Sequence, residues 1–293
     1  MLYSCRAQSS SLGASVSRRM DVIKVLRASW ARLMLGLAAV ILPAVAAAWL
    51  TRQLGMAHSV LRVISPLASA GSGYIGYYLF VRYIERRAAI ELDPRNGLRL
   101  VTIGLMIGML LFGATMGILG LIGLYTVTGS NSPATVVAPL AAAISAGILE
   151  ELVFRGVIFR ILELRFGTWV ALLASAALFG LLHLLNPNAS IQGAVAIIFE
   201  AGILLAAAFV LTKHLWFPIG IHIGWNFAEG GLFGAAVSGG AASGLLKGAT
   251  TGPVWLTGGD FGPEASTVAI VICVTVASGL LLAATRRGLL RKP

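Results

Sequence analysis

The chain has 293 residues, of which 58% are hydrophobic and 11% charged, and its mean hydropathy is +0.89. That composition excludes a water-soluble globular domain, in which about a quarter of residues are charged. A net charge of +11 would point to nucleic acid in a soluble protein. Here the basic residues gather in a few short connections, where they set membrane topology and touch anionic headgroups, so no nucleic-acid partner is expected.

Residues 1–19 are polar and lack the apolar core of a signal peptide, so they read as a disordered tail. Met20 opens a basic amphipathic segment through Arg32 and could be the native start. Long Leu/Ala/Val-rich runs follow at about 33–50, 63–81, 100–124, 136–158, 169–185, 191–212, 217–236 and 266–284. Each is near the roughly 20 residues that cross a bilayer as a helix. They do not alternate as barrel strands would, and only helices or closed barrels satisfy their backbone in lipid. The expectation is an all-α polytopic bundle of about eight transmembrane helices, with one membrane domain over 33–285 and basic cytoplasmic tails at 1–32 and 286–293. Its partners are the lipid bilayer and whatever it binds there.

Lys and Arg recur on one side of such a layout. They occupy the N-terminal segment, the stretch Arg82–Arg99, the region of Arg160 and Arg165, Lys213, and the tail from Arg286 to Lys292. The opposite connections hold only Arg52, Arg62 and Lys247. Both termini are therefore expected in the cytoplasm. Residues 82–99 read as an interfacial helix, with Tyr83 and Ile84 in lipid and Glu85 wet. The glycine-rich stretch 229–264 reads as an irregular non-cytoplasmic loop. It lacks a phosphate-loop pattern, so its glycines do not imply nucleotide. Cys5 and Cys273, the two cysteines, form neither a disulfide framework nor a zinc ligand set.

Ionisable residues inside membrane spans are costly and usually functional. Those here are Glu150, Glu151 and Arg155 in span four, His183 in span five, Glu200 in span six, and His222 with Asn226 in span seven. Residues four apart share a helix face, so Glu151 and Arg155 can pair while Glu150 points about 100° away. A free, desolvated Glu150 suits a general base, although a network that only fixes helix packing accounts for the charges equally well. Phe179 shares a face with His183 and could wall a pocket. His222 and Asn226 form one polar stripe, while Trp225 and Phe227 read as packing residues. Glu200 could line the same cavity or be an unpaired helix-contact acid. His58 and His214 lie in connections and read as solvated.

The pattern Glu150-Glu151-x-x-x-Arg155, Phe179-x-x-x-His183 and His222-x-x-x-Asn226 resembles the CAAX prenyl protease and bacteriocin-processing (CPBP) family of intramembrane endopeptidases, over about residues 136–236. Trp225-Asn226-Phe227 and the later Gly258-Gly259-Asp260-Phe261-Gly262-Pro263-Glu264 look like a bacterial branch of it, which implies the cell (inner) membrane of a bacterium. The resemblance implies a peptide or membrane-protein substrate. It implies that Glu150 and His183 activate water, that His222 and Asn226 stabilise the oxyanion, and that Arg155 holds the carboxylates through Glu151. A prenyl preference does not follow from these residues.

Imidazoles on two helices plus a carboxylate favour a metalloprotease, with Glu150, His183 and His222 ligating Zn2+ or another divalent metal, although there is no His-Glu-x-x-His helix and a metal-free glutamate mechanism uses the same groups. A rise of ~1.5 Å per residue places Glu150 and His222 towards the cytoplasm and His183 towards the other side, so assembly of one site requires shifted span limits or tilted helices. Two other function classes use the same residues. One is a non-catalytic membrane scaffold or immunity protein with a structural polar network, and the other a small proton- or cation-coupled transporter.

Overall fold

Apolar runs in lipid can satisfy their backbone only within their own helix, and the chain folds accordingly. The computed structural model describes residues 29–241 and 243–293. The basic N-terminal tail, Met20 and Cys5 lie outside the described residues. The helices are α1 (Ser29–Gln53), α2 (His58–Leu79), α3 (Gly97–Leu121), α4 (Val137–Glu151), α5 (Arg160–Leu182), α6 (Ile191–Ile197), α7 (Leu204–Thr212), α8 (Trp216–Asn226), α9 (Val254–Thr257) and α10 (Thr267–Arg286). Ser190 and Ser266 cap α6 and α10, their hydroxyls accepting from the amides of Gly193 and Ala269.

Five stretches are long and apolar enough to cross a membrane: Ser29–Gln53, Ile90–Leu121, Pro133–Leu185, Ile191–Thr212 and Thr267–Arg286. The chain is an integral membrane protein. Pro133–Leu185 contains two of the expected runs, broken at Gly167, whose φ of 80° turns the chain. The two expected runs that fall short are α2 and α8. α2 buries Ser69, Gly73 and Tyr77 while Ile64, Ile75 and Leu79 project outward, and in α8 every residue from Phe217 to Trp225 is buried.

The close approach of α3 to α8 explains that burial. Gly104 and Gly108 face Gly220 and Gly224, and any side chain would strike the partner backbone. A Cβ on Gly108 would lie 2.0 Å from Ile221 O, and one on Gly224 would lie 2.1 Å from Leu105 O. Small residues four apart let membrane helices pack on their backbones. Because α8 carries His222 and Asn226, this seam fixes the height of both. Gly108→Val is therefore expected to lower the thermal stability of the detergent-solubilised protein and to displace α8, by the roughly 1–3 kcal/mol typical of overpacking or more. A melting curve matching wild type would refute the seam's role.

The two ends of the bundle differ. At one, Arg160 Nη2 meets Glu85 Oε2 at 2.7 Å, Lys213 Nζ meets Glu163 Oε1 at 3.0 Å, the Leu215 amide donates to Glu91 O and the Thr168 amide donates to Arg291 O. Glu85 is thus buried between Arg87 and Arg160, not wet, and 82–99 is no interfacial helix. It comprises a π-helical turn (Phe80–Ile84) and two 3-10 turns, because its acids are drawn inward by arginines. Tyr83 and Ile84 do project outward. At the other end, Tyr125–Ser130 (β1) pairs antiparallel with Leu246–Thr250 (β2), so part of the glycine-rich segment is ordered by a strand that the all-helical expectation omitted. Asn188 Nδ2 donates to Gly239 O and Gln192 Nε2 to Val254 O at this same end.

Candidate active site

The last turn of α4 sends its two adjacent carboxylates in different directions. Glu151 is fully buried, whereas the Glu150 side chain is 34% exposed. The backbone then continues as a π-helix, Leu152–Phe159, which carries Arg155. π-Helical turns recur at functional sites because one extra residue per turn re-aims side chains. Arg155 Nη1 pairs with Glu151 Oε1 at 2.8 Å, while Nη2 donates to the carbonyls of Ala201 and Gly202 at 3.1 and 3.0 Å. From α8, His222 Nδ1 donates to the same Glu151 oxygen at 3.1 Å. That hydrogen bond fixes the imidazole so that Nε2 lies 3.9 Å from Glu150 Oε2. Arg155, Glu151, His222 and Glu150 thus form one chain of contacts between two helices.

Phe179 is the hub on the other side. Its ring packs edge-on against Phe154, holds the Arg155 guanidinium 4.8 Å from its centroid, and contacts the rings of His183 and His222 at 4.8 and 6.2 Å. His183 Nδ1 donates to Phe179 O at 2.8 Å, which leaves Nε2 as the free nitrogen. Phe179, His183, Glu200, His222, Asn226 and Glu264 line an internal cavity with about 20 Å³ of free space, room for about one water.

Asn226 also lines a groove of about 700 Å³, within the range of ligand sites. Arg52, His58, Ser65 and Pro66 form one wall, and Ala138, Ala142 and Ala146 another. A second hollow shares Ser65, Pro66, Ala142 and Ala146 and reaches Glu150. The Glu150 side chain is accordingly open in part to that hollow, while its Oε2 is itself buried.

Residues 131–228 match the family model described as Type II CAAX prenyl endopeptidase Rce1-like. This stretch is an Rce1-like type II CAAX prenyl endopeptidase domain. No curated protein and no solved structure matches the chain.

All six residues expected from sequence, Glu150, Glu151, Arg155, His183, His222 and Asn226, fall inside the Rce1-like domain. Four of them form the contact chain, and His183, His222 and Asn226 share the cavity. Among the described residues no hydrogen bond, ion pair or ring contact joins Glu150 directly to His183. The expected mismatch in depth is relieved because the helix runs on past Phe159 to Gly167. Glu150 and His183 consequently lie at similar depth, each roughly 25 Å along its helix from that inner break.

Two cavity residues lie beyond the Rce1-like domain. Ser238 and Glu264 come from the glycine-rich segment, where the Ser238 amide donates to Glu264 Oε1 at 2.6 Å and the Glu264 amide to Glu229 Oε1 at 3.4 Å. Burial pushes the Glu264 carboxyl above its ordinary range. The only sequence signal for it was Gly-Gly-x-Phe-Gly-Pro-Glu, which carried no role. Glu200 lines the cavity, one of its two expected placements.

Among the described residues no three His, Cys, Asp or Glu side chains group so as to hold an ion. His183 and His222 each donate Nδ1–H to a protein acceptor and keep Nε2 clear, an orientation that serves a metal ligand and a metal-free proton donor alike.

Proposed function

We propose that this chain is an intramembrane endopeptidase that hydrolyses a peptide bond of a peptide or membrane-associated protein, with Glu150 as general base. The observation that carries this reading is the Glu150–His222 pair at 3.9 Å, with His222 oriented by Glu151 and Arg155. Water bound at Glu150 Oε2 gives up a proton to that carboxylate as its oxygen attacks the scissile carbonyl. His183 Nε2, free because Nδ1 is held by Phe179, accepts the water's other hydrogen in a hydrogen bond. The carbonyl oxygen becomes negative and is met by Asn226 Nδ2 and by His222 Nε2–H, with the imidazole protonated at both nitrogens. Glu150 then passes its proton to the departing amide nitrogen, and acid and amine products separate.

Positive charge on the inner connections and the C-terminal tail supports cytoplasmic termini. In a liposome assay with quenched fluorescent peptides, His222→Ala is expected to lose at least ~10²-fold in kcat/KM, the scale of one lost oxyanion donor. Cleavage at the wild-type rate by that variant would end the reading. With Glu150 acting as base on a bare water, chelation is expected to leave kcat/KM within about twofold, since no bound ion would be supplying the nucleophile. Loss on chelation with recovery on adding Zn2+ would reverse that expectation.

A further inference from the structure

The groove is built from one end of the bundle only. Its walls are the α1–α2 turn with Arg52 and His58, the first half of α4 with Ala138 and Ala142, and the segment carrying Val237 and Ser243. Asn188 and β1 tie the same segment to that end. The other end is closed beneath the site. Tyr77, Phe80, Leu152, Val157 and Phe159 are each at most 2% exposed, and below them the Glu85–Arg160 and Tyr77–Glu91 contacts bridge the connections.

Charge orients these two ends. The closed end carries Arg82, Arg86, Arg95, Arg99, Arg165 and the basic C-terminus, whereas the open end carries Arg52, Arg62 and Lys247. An excess of Lys and Arg of this kind marks the cytoplasmic side. Arg52, His58 and Arg62 are found at the groove's rim, where charged groups belong at the level of water and headgroups and not of lipid tails.

We propose that the catalytic groove is loaded from the non-cytoplasmic face, so that the substrate is a peptide segment presented on that face. The term substrate rests on the peptidase reading, but the route of access does not. From that face the groove reaches Asn226 and the adjoining hollow reaches Glu150, neither crossing the closed end.

The test replaces Cys5 and Cys273 by alanine and introduces single cysteines as Ser65→Cys, Ser243→Cys and, at the closed end, Arg287→Cys. Spheroplasts are treated with a membrane-impermeant maleimide before and after permeabilisation, with Glu150 intact and as Glu150→Gln. Ser65→Cys and Ser243→Cys are expected to label fully before permeabilisation and Arg287→Cys only after it. Groove cysteines that label only after permeabilisation, or Arg287→Cys labelling first, overturn the proposal. Labelling measures access and not turnover. A silent Glu150→Gln protein labelled from outside upholds the route, and loss of the peptidase reading alone would leave these patterns unchanged.

Discussion

Glu150→Gln is expected to lose roughly 10²–10⁴ of kcat/KM, the range for a general base, while the protein melts at or near the wild-type temperature. The reasoning rests on how differently two adjacent glutamates are held. The Glu150 side chain is a third exposed, and its Oε2 is buried with no hydrogen-bond partner among the described residues. An isosteric amide therefore keeps the shape of the groove and strands no buried charge. Glu151 has no exposure and carries both Arg155 and His222, so Glu151→Gln weakens the whole chain of contacts and is expected to lower stability and activity together. The check is kcat/KM and thermal unfolding of both variants in the same lipid. If Glu150→Gln cleaves within tenfold of wild type, Glu150 is not the base. If it is also unstable, the carboxylate is structural.

Charged groups in apolar helices are conspicuous because lipid tolerates so few of them, which is why the contact chain could be read from sequence. Spacing of four put Glu151 with Arg155 and His222 with Asn226, and the structure has both arrangements on the expected helix faces. Depth was less legible. A ruler along each span needs the true helix ends, and the break at Gly167 depends on a positive φ that no apolar pattern marks. Glu264 was missed for a related reason. It reaches the cavity only because the segment folds back, with the Gly239 amide on Phe261 O and the Ser238 amide on Glu264. Such contacts between residues distant in sequence leave no periodicity. The same holds for Glu85, whose burial depends on Arg160, 75 residues away. The cavity wall thus combines the Rce1-like domain with a segment that follows it, and the domain's boundary at 228 cuts through the site.

Arg155→Met is expected to be the most disruptive single change in the protein. The guanidinium is 1% exposed, and it neutralises Glu151, satisfies the carbonyls of Ala201 and Gly202, and lies over Phe179. Its removal leaves a fully buried carboxylate with only His222 as partner, a situation that costs about 3–5 kcal/mol. Arg155→Lys keeps the charge but not the fork that reaches a carboxylate and two carbonyls together, so partial stability with impaired turnover is expected. The informative variant is the double change Arg155→Met with Glu151→Gln. With no unpaired charge left inside, much of the lost stability is expected to return, and the single-variant costs should fail to add. Activity should not return, because a neutral amide in place of the Glu151 carboxylate would hold His222 Nδ1 less firmly and Nε2 would no longer be aimed at Glu150. Recovery of both stability and turnover in the double variant would mean that the ion pair serves packing alone and that His222 needs no orienting partner.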